Sequence, residues 1–358
     1  MNGKTMLPVL ALALAAQLPA LDRAAAPLWA QHPGAVPDTA YVPGAYRVFT
    51  GAGQPTSLDD VVAAMGRHDV VFVGETHDDP TAHMLEAKLL ARAWETYGSG
   101  VAGEGDGEAR RVALSLEFFE RDVQPVLDEY LASLITEAAF RNDSRPWSRY
   151  ETDIRPLIEF AREHGVDVIA ANAPRRYVNR VTLHGRESLE ELPDHALEHL
   201  PPLPYGQPSP EYRAQWIEVI SRVMEQEGMR CGVPVDDPPA PVGAHAAMGN
   251  QLHSQALWDA TMAWWVARYL DEHPDALVLH MVGGFHVARG TGTPEQLAGY
   301  RPDARSMVVM IRPVDDVAEF VHAPDGEWGD FVIQTDRSRT LQAIECREFL
   351  AEREQADR

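Results

Sequence analysis

Two Gly-x-x-His motifs stand directly after apolar runs of the sequence. GETH places Glu75 and His77 after one run, GGFH places His286 after a later one, and SLEFFE supplies Glu117 between them. Two imidazoles and a carboxylate suit a divalent ion such as Mn, Co or Zn with an open coordination position. We therefore predict His77, Glu117 and His286 as metal ligands. Taken alone, each of these residues is also typical of an ordinary turn or surface position.

The apolar runs that carry these motifs predict the strands of a parallel sheet. They alternate with longer amphipathic stretches, as strands joined by crossover helices require. The predicted strands cover residues 69–74, 111–117, 166–172, 276–283, 306–312 and 330–335. We expect an α/β fold with a mostly parallel central sheet and flanking helices. Because the carboxyl ends of parallel strands share one edge, the motif residues and Asn172 should converge on one crevice.

Composition excludes one class of partner and favours an exported protein. Asp and Glu outnumber Lys and Arg by 54 to 31, which argues against a nucleic-acid partner. Lys4, the apolar run after it and small residues near Ala26 and Ala30 resemble a cleavable signal peptide. Cys231 and Cys346 are the only cysteines, so no lipid-anchor cysteine follows the signal, and their pairing is left open. We expect a secreted or periplasmic protein that is soluble after signal cleavage.

The domain organisation follows from composition shifts along the chain. We predict a signal peptide over residues 1–30, an extended Pro- and Gly-rich leader over 31–56 and an α/β domain over 57–345, followed by a polar tail over 346–358. Ser57 and Asp60 have the spacing of a capping box at the first helix of that domain. Residues 177–265 contain no convincing strand, so we expect a helical cap inserted above the sheet.

Several blocks of the sequence resemble the ChaN-like haem-binding uptake family. They are VVFVGETHDDPTAHMLEAKLL, LSLEFFERDVQPVLDEYL, IAANAPRRYVNRV, QALWDATMAWWV and MVGGFHVARGTGTPEQL. That family belongs to a superfamily with the Tiki and TraB proteins and the erythromycin esterases. The resemblance implies haem binding for iron uptake, with paired subunits able to enclose stacked haems. Its Tiki branch implies metal-dependent hydrolysis instead, in which Glu75 is the general base beside His77, Glu117 and His286.

Haem requires an axial ligand and groups that hold its propionates, and the cap offers candidates. Tyr177 lies among Arg175, Arg176 and Arg180 in a chain that is otherwise poor in positive charge. We predict these residues, together with Asn172 and Met262, as the cofactor-binding set. Two alternatives stay open: the arginines can pair with the many carboxylates, and Met262 has the spacing of a core residue.

His83 and Glu86 form a further candidate pair. With Asp79 as the cap and Pro80 at the first helical position, both fall on one face near the start of a helix. They can serve as a second ligand pair, or bond to each other or to a neighbouring loop.

The preferred hypothesis is an exported haem- or iron-binding protein of the ChaN type that acts in uptake and is not an enzyme. Its expected partners are haem, a second copy of the chain and an outer-membrane or periplasmic haem transporter. The alternative is a metal-dependent hydrolase, of the peptidase or esterase kind, built on the two Gly-x-x-His motifs. A third hypothesis is a scaffold that keeps the fold without either ligand.

Overall fold

The computed structural model describes residues 44–98, 109–225, 229–234 and 248–356. The predicted signal peptide and the first half of the predicted leader lie outside these residues. Export, signal cleavage and cellular location therefore stay predictions.

Ten strands are present in the described residues: β1 (Tyr46–Thr50), β2 (Pro55–Thr56), β3 (Val70–Glu75), β4 (Val112–Glu120), β5 (Asp167–Asn172), β6 (Met229–Arg230), β7 (Val233–Pro234), β8 (Leu277–Gly283), β9 (Ser306–Val314) and β10 (Phe331–Asp336). Eight of them form a central sheet in the order β2-β1-β10-β9-β3-β8-β4-β5, and β6 and β7 form a separate two-stranded ribbon. The six strands from β10 to β5 run parallel, and β1 pairs antiparallel with β10 and β2. The fold is thus the expected α/β class with a mostly parallel sheet.

The central strands are apolar along their whole length because both faces of the sheet are covered. Every residue of β3 is buried, and its side chains alternate between the two faces. Val71 and Val73 pack into the larger core cluster with the helices Pro80–Ala93 and Arg155–His164, whereas Val70 and Phe72 pack against the helix Met248–Glu272 on the other face. All six predicted strands are confirmed within three residues at their ends, the largest difference being at the end of β4.

Helices cover both faces of the sheet and form the cap. They are α1 (Leu58–Met65), α2 (Pro80–Ala93), α3 (Gln124–Leu131), α4 (Glu137–Ser144), α5 (Arg155–His164), α6 (Arg175–His184), α7 (Asp194–Leu197), α8 (Pro210–Glu225), α9 (Met248–Glu272), α10 (Thr293–Tyr300) and α11 (Leu341–Ala356). The predicted capping box is present at α1, where the Ser57 hydroxyl accepts from the Asp60 N–H and the Asp60 carboxylate accepts from the Ser57 N–H. Asp79 caps α2 in the predicted manner, with Pro80 in the first turn.

The elements differ from two predicted boundaries. We expected the leader over residues 31–56 to pack loosely on a body that starts at Ser57, yet β1 and β2 lie within it and extend the sheet, and Val48 and Phe49 are buried. At the other end, α11 runs across the boundary predicted at residue 345, and its Cys346 forms a disulfide with Cys231. The cysteine pairing, open from the sequence, therefore ties α11 to the β6–β7 ribbon of the cap.

The cap has its own apolar cluster, which packs α6 and α9 together with residues from the segment between them. Val178, Leu189, Tyr205 and Leu257 are among its buried members. No helix within the described ranges has the length and apolar character needed to cross a membrane.

Candidate functional site

The carboxyl ends of four neighbouring strands bring the predicted site residues together. The Gly283 N–H at the end of β8 donates to Glu117 Oε2 at 2.7 Å, and the Asn172 side chain of β5 donates to the Glu117 carbonyl at 3.0 Å. The pairing of β4 with β5 shifts register between Leu116 and Glu120, and this irregularity surrounds Glu117. The expected convergence on one edge is therefore observed, while the roles of these residues stay predictions.

His77 is the accessible member of the group. Its Nδ1 contacts Glu75 Oε1, and its side chain is 50% exposed while that of Glu75 is fully buried. A Cβ placed on Gly283 would lie 2.8 Å from His77 Cε1 and 3.0 Å from Nε2, so only a glycine lets the ring approach the backbone here. The Trp147 ring lies edge-on to the imidazole at 5.0 Å. Glu75 thus fixes the ring through Nδ1 and leaves Nε2 on the side of Gly283.

At Glu75 and His77, burial and the hydrogen bond between the two side chains shift each pKa in opposite directions. Burial raises the pKa of Glu75 to about 7, against the lowering effect of its hydrogen bond with His77. Burial alone would lower the pKa of His77, but the hydrogen bond and charge of Glu75 outweigh it, so that pKa is raised. The pKa of each group is therefore raised, that of Glu75 by burial and that of His77 by Glu75.

His286 belongs to a buried ion network. Its Nδ1 lies 2.8 Å from Asp259 Oδ1, which also accepts from the Thr293 hydroxyl at 2.8 Å, and the Tyr212 hydroxyl donates to the other oxygen of Asp259. Its Nε2 lies 3.7 Å from Glu117 Oε1. Burial would lower the pKa of His286, but the charges of Asp259 and Glu117 outweigh it and raise that pKa to about 9. His286 is thus a buried imidazolium at neutral pH.

The donor geometry gives no support to the predicted metal set. Across the part of the chain that the structure describes, no group of three or more His, Cys, Asp or Glu side chains is arranged to hold a metal ion. The contacts that His286 makes are those of an ion pair. Metal binding by His77, Glu117 and His286 stays a prediction.

Asp259 and Tyr212 are the site residues that sequence reasoning did not assign. Asp259 lies in the LWDATMA block and is 1% exposed in the middle of α9. A carboxylate inside an otherwise apolar helix face was the available signal, since a buried charge requires partners. Those partners come from α8, α10 and the turn after β8, so only the tertiary packing identifies them.

His83 and Glu86 bond to each other, as one of the two alternatives anticipated. His83 Nδ1 lies 2.9 Å from Glu86 Oε2, and its Nε2 lies 3.1 Å from the His77 carbonyl and 3.5 Å from Asp153. Burial would lower the pKa of His83, but Glu86, Glu75 and Asp153 raise it to about 10. The pair therefore supports the backbone at His77 through the contact between His83 Nε2 and the His77 carbonyl.

The arginines of the cap are mostly neutralised by acids. Arg176 lies 2.5 Å from Asp122, with its guanidinium 4.5 Å above the Tyr177 ring. Arg180 contacts the Glu191 carboxylate. For these two arginines the open alternative, pairing with carboxylates, is the one that the structure shows.

The remaining predicted cofactor residues differ in accessibility. Arg175 is exposed at the start of α6, and Tyr177 is half-buried against the cap cluster. Asn172 is buried, and its side chain bonds to backbone groups of Glu117 and Ala173. Met262 is fully buried in the core between α9 and the sheet, which favours the alternative of a core residue, and its role as a cofactor contact stays a prediction. Helical spacing had already indicated that alternative for Met262.

Two solved structures are similar to this chain. Among solved structures, "Cofacial heme binding to ChaN of Campylobacter jejuni" is similar with a TM-score of 0.55 and 14% identity, over 80% of this chain and 96% of that one. An erythromycin esterase mutant in its open conformation has a TM-score of 0.41 and 12% identity, over 81% and 83% of the two chains. The similarity to ChaN shows a shared fold.

The amino-acid sequence is similar to that of a plant protein and matches the profile of one family. Protein RETICULATA-RELATED 5, chloroplastic, of Arabidopsis thaliana is 22% identical over 255 residues, which are 68% of this chain and 31% of that protein. This chain therefore spans about a third of that relative's length. The profile of the family described as "Haem-binding uptake, Tiki superfamily, ChaN" matches residues 61–297, well over half of the chain. The chain belongs to this ChaN family of the Tiki superfamily.

Proposed function

We propose that this protein binds haem at the carboxyl edge of its sheet and that His77 is the axial ligand. The observation that carries this proposal is the half-exposed His77 imidazole, held through Nδ1 by the buried Glu75. An axial histidine in haem proteins commonly has its second nitrogen fixed by a carboxylate or carbonyl group. The donor chemistry of this edge therefore fits haem, and the ChaN family membership supports the same ligand.

The residues around His77 each have a role in holding such a ligand. Haem, if bound, would supply an iron atom that accepts a histidine ligand and two carboxylates that need polar or cationic partners. Glu75 orients the imidazole of His77 and raises its basicity. Trp147 packs edge-on against His77, and the half-buried Phe285 lies two residues after Gly283. Both offer apolar surface to such a ligand.

Tyr177 is the rival axial ligand, and its position in the sheet separates the two candidates. It follows β5, whereas His77 follows β3, and β8 and β4 lie between these strands. At about 4.8 Å per strand, the ends of these two strands are about 14 Å apart along the edge. We therefore propose that one iron atom takes only one of the two residues from a given protomer.

The uptake role, export and assembly are part of the same proposal. The family description names uptake, and the solved ChaN of Campylobacter jejuni is described as binding haem cofacially. We propose that two copies of this chain enclose stacked haems in the same way and deliver them to an outer-membrane or periplasmic transporter. The signal-like N-terminal sequence supports an exported location.

A hydrolase remains the second candidate, and one observation favours it. Asp259 fixes the His286 ring in the manner of a carboxylate that orients a catalytic base. The imidazolium state of His286 opposes this role at neutral pH, because a general base must be unprotonated. Hydrolysis of p-nitrophenyl esters that is lost in His286→Gln would favour this candidate over haem binding.

Haemin titration of the purified apo-protein tests the proposed function. We expect a shifted Soret band that saturates at one haemin per protomer, and metal analysis of the same sample completes the comparison. Tyr177→Phe should leave the spectrum unchanged. No Soret shift in the wild type would overturn the proposal.

A further inference from the structure

Three arginines gather at the carboxyl end of β9, and we call Arg222, Arg289 and Arg312 the arginine cluster. The Arg312 guanidinium stacks on the Trp328 ring at 3.4 Å from its centroid, and that of Arg289 lies 5.3 Å from the same ring. The Arg289 side chain is 14% exposed, whereas that of Arg222 is 67% exposed. The cluster therefore runs from a buried position to the surface.

The cluster lacks enough negative charge to balance it. Glu218 lies 3.2 Å from Arg289 and 3.8 Å from Arg222, and in the described ranges it is the only carboxylate within 4 Å of any member. Arg312 has no ion pair with any described residue. Such an excess is unusual in a chain with a net charge of -23, where arginines find acids readily.

Buried nitrogen atoms within the cluster have no partner. Arg312 Nη1 and Arg289 Nε are both buried and make no hydrogen bond with the described residues. An unsatisfied charged donor is costly, so native proteins supply it with a partner or a ligand. Burial and the neighbouring charges of Arg337, Arg222 and Arg289 lower the pKa of Arg312 to about 10. An anion placed here would satisfy both nitrogen atoms and relieve this repulsion.

The cluster lies beside the edge that holds His77. Strand β9 pairs directly with β3, so Arg312 is about one strand spacing, about 4.8 Å, from the strand that leads to His77. Arg289 follows His286 by three residues on the adjoining turn. The cluster and His77 therefore lie at the same end of two neighbouring strands.

An aromatic surface connects the cluster to the site. The Phe285 ring lies 5.0 Å from that of Tyr212 and 5.8 Å from that of Trp216 on α8. The same helix carries Glu218 and Arg222 further along. Aromatic side chains thus pack between the end of β8 and the helix that carries Arg222, and the partly exposed Phe285 and Trp216 offer the apolar contact that a flat amphipathic dianion requires.

We infer that the arginine cluster binds the carboxylates of the ligand, which are the propionates when the ligand is haem. This inference rests on the proposed function. Planar guanidinium groups bind carboxylates through two parallel hydrogen bonds, and the unpartnered nitrogen atoms supply donors for them. Arg176 and Arg180, which the sequence favoured for this role, have acids as partners instead.

Haemin and its dimethyl ester together test the inference, because the ester lacks the negative charges. Arg312→Gln should weaken haemin binding about tenfold and leave ester binding unchanged. Arg176→Gln is the matched control, since this arginine is already paired with Asp122, and it should change neither affinity. If Arg312→Gln does not fold, as judged by its circular dichroism, Arg289→Gln takes its place under the same criteria.

The outcomes separate the inference from the proposed function. Wild-type protein that binds haemin while Arg312→Gln binds it equally well overturns the inference alone. Equal weakening of haemin and its ester does the same, because it shows loss of packing against Trp328 instead of loss of a charge contact. Wild-type protein that binds no haemin overturns the proposed function and the inference with it.

Discussion

Replacing Asp259 by asparagine should remove most of the stabilisation that the His286 imidazolium provides. The pKa of His286 in the fold is about 9, above its ordinary value of 6.5. A raised histidine pKa stabilises the fold fully below the unfolded value, and this contribution is lost as the pH rises through the folded value. A pKa difference of about 2.5 corresponds to about 3 kcal/mol, with little screening because the side chain is 8% exposed.

The Asp259→Asn substitution isolates charge from shape. The amide side chain has nearly the shape of the carboxylate, but its single oxygen can accept from only one of the two hydroxyls, because Tyr212 and Thr293 donate to different oxygens of Asp259. The loss of the other hydrogen bond adds a destabilisation that does not depend on pH. The His286 pKa should fall, because burial is then opposed by Glu117 alone. We expect the free energy of unfolding in urea to drop by about 3 kcal/mol at about pH 6. The difference from wild type should shrink steadily as the pH approaches about 9.

A matched control is available on the surface. Asp271 forms an ion pair with Arg301 at 2.6 Å with its side chain 51% exposed, so Asp271→Asn should cost at most about 1 kcal/mol. A loss in Asp259→Asn that stays constant from about pH 6 to about pH 9 would refute the reasoning, since the loss would then not depend on His286 protonation.

Two further predictions concern packing and the disulfide. Gly283→Ala should force the His77 ring to move by about 0.6 Å, from 2.8 Å to at least 3.4 Å from the new Cβ, and should weaken haemin binding about tenfold. Gly299→Ala, whose Cβ meets nothing within 4 Å, should leave haemin binding unchanged, and equal affinities for the two variants would contradict the role of His77. The double replacement Cys231→Ser and Cys346→Ser removes a disulfide between positions 115 residues apart in the sequence. It should lower the free energy of unfolding, measured in urea, by about 2–4 kcal/mol. An unchanged urea midpoint would show that the bridge adds no stability.

The parallel strands were predictable because a strand that is buried on both faces leaves an uninterrupted apolar run in the sequence. β1 and β2 gave no such signal. The first has only Val48 and Phe49 as buried side chains within the strand, and the second is two residues long among Pro, Gly and Thr. Antiparallel pairing at a sheet edge depends on β10, which lies near the other end of the sequence, and no local pattern reveals it.

The candidate site was predictable as far as strand ends determine it. His77, Glu117 and His286 meet because parallel topology places their strand ends on one edge. The state of each residue was not predictable, because it depends on helices that arrive from elsewhere. Asp259 on α9 makes His286 an imidazolium, and Asp122 neutralises Arg176; both contacts come from packing that the sequence does not specify locally.

Rescue of a His77→Gly variant by free imidazole tests the central claim most directly. The wild-type protein with bound haemin should give the absorption spectrum of an imidazole-ligated ferric haem. His77→Gly should bind haemin about tenfold more weakly and lose that spectrum, and added imidazole should restore it by occupying the vacated position beside Glu75. A variant that keeps the wild-type spectrum without imidazole, or a spectrum lost in Tyr177→Phe instead, would contradict the assignment of His77 as the axial ligand.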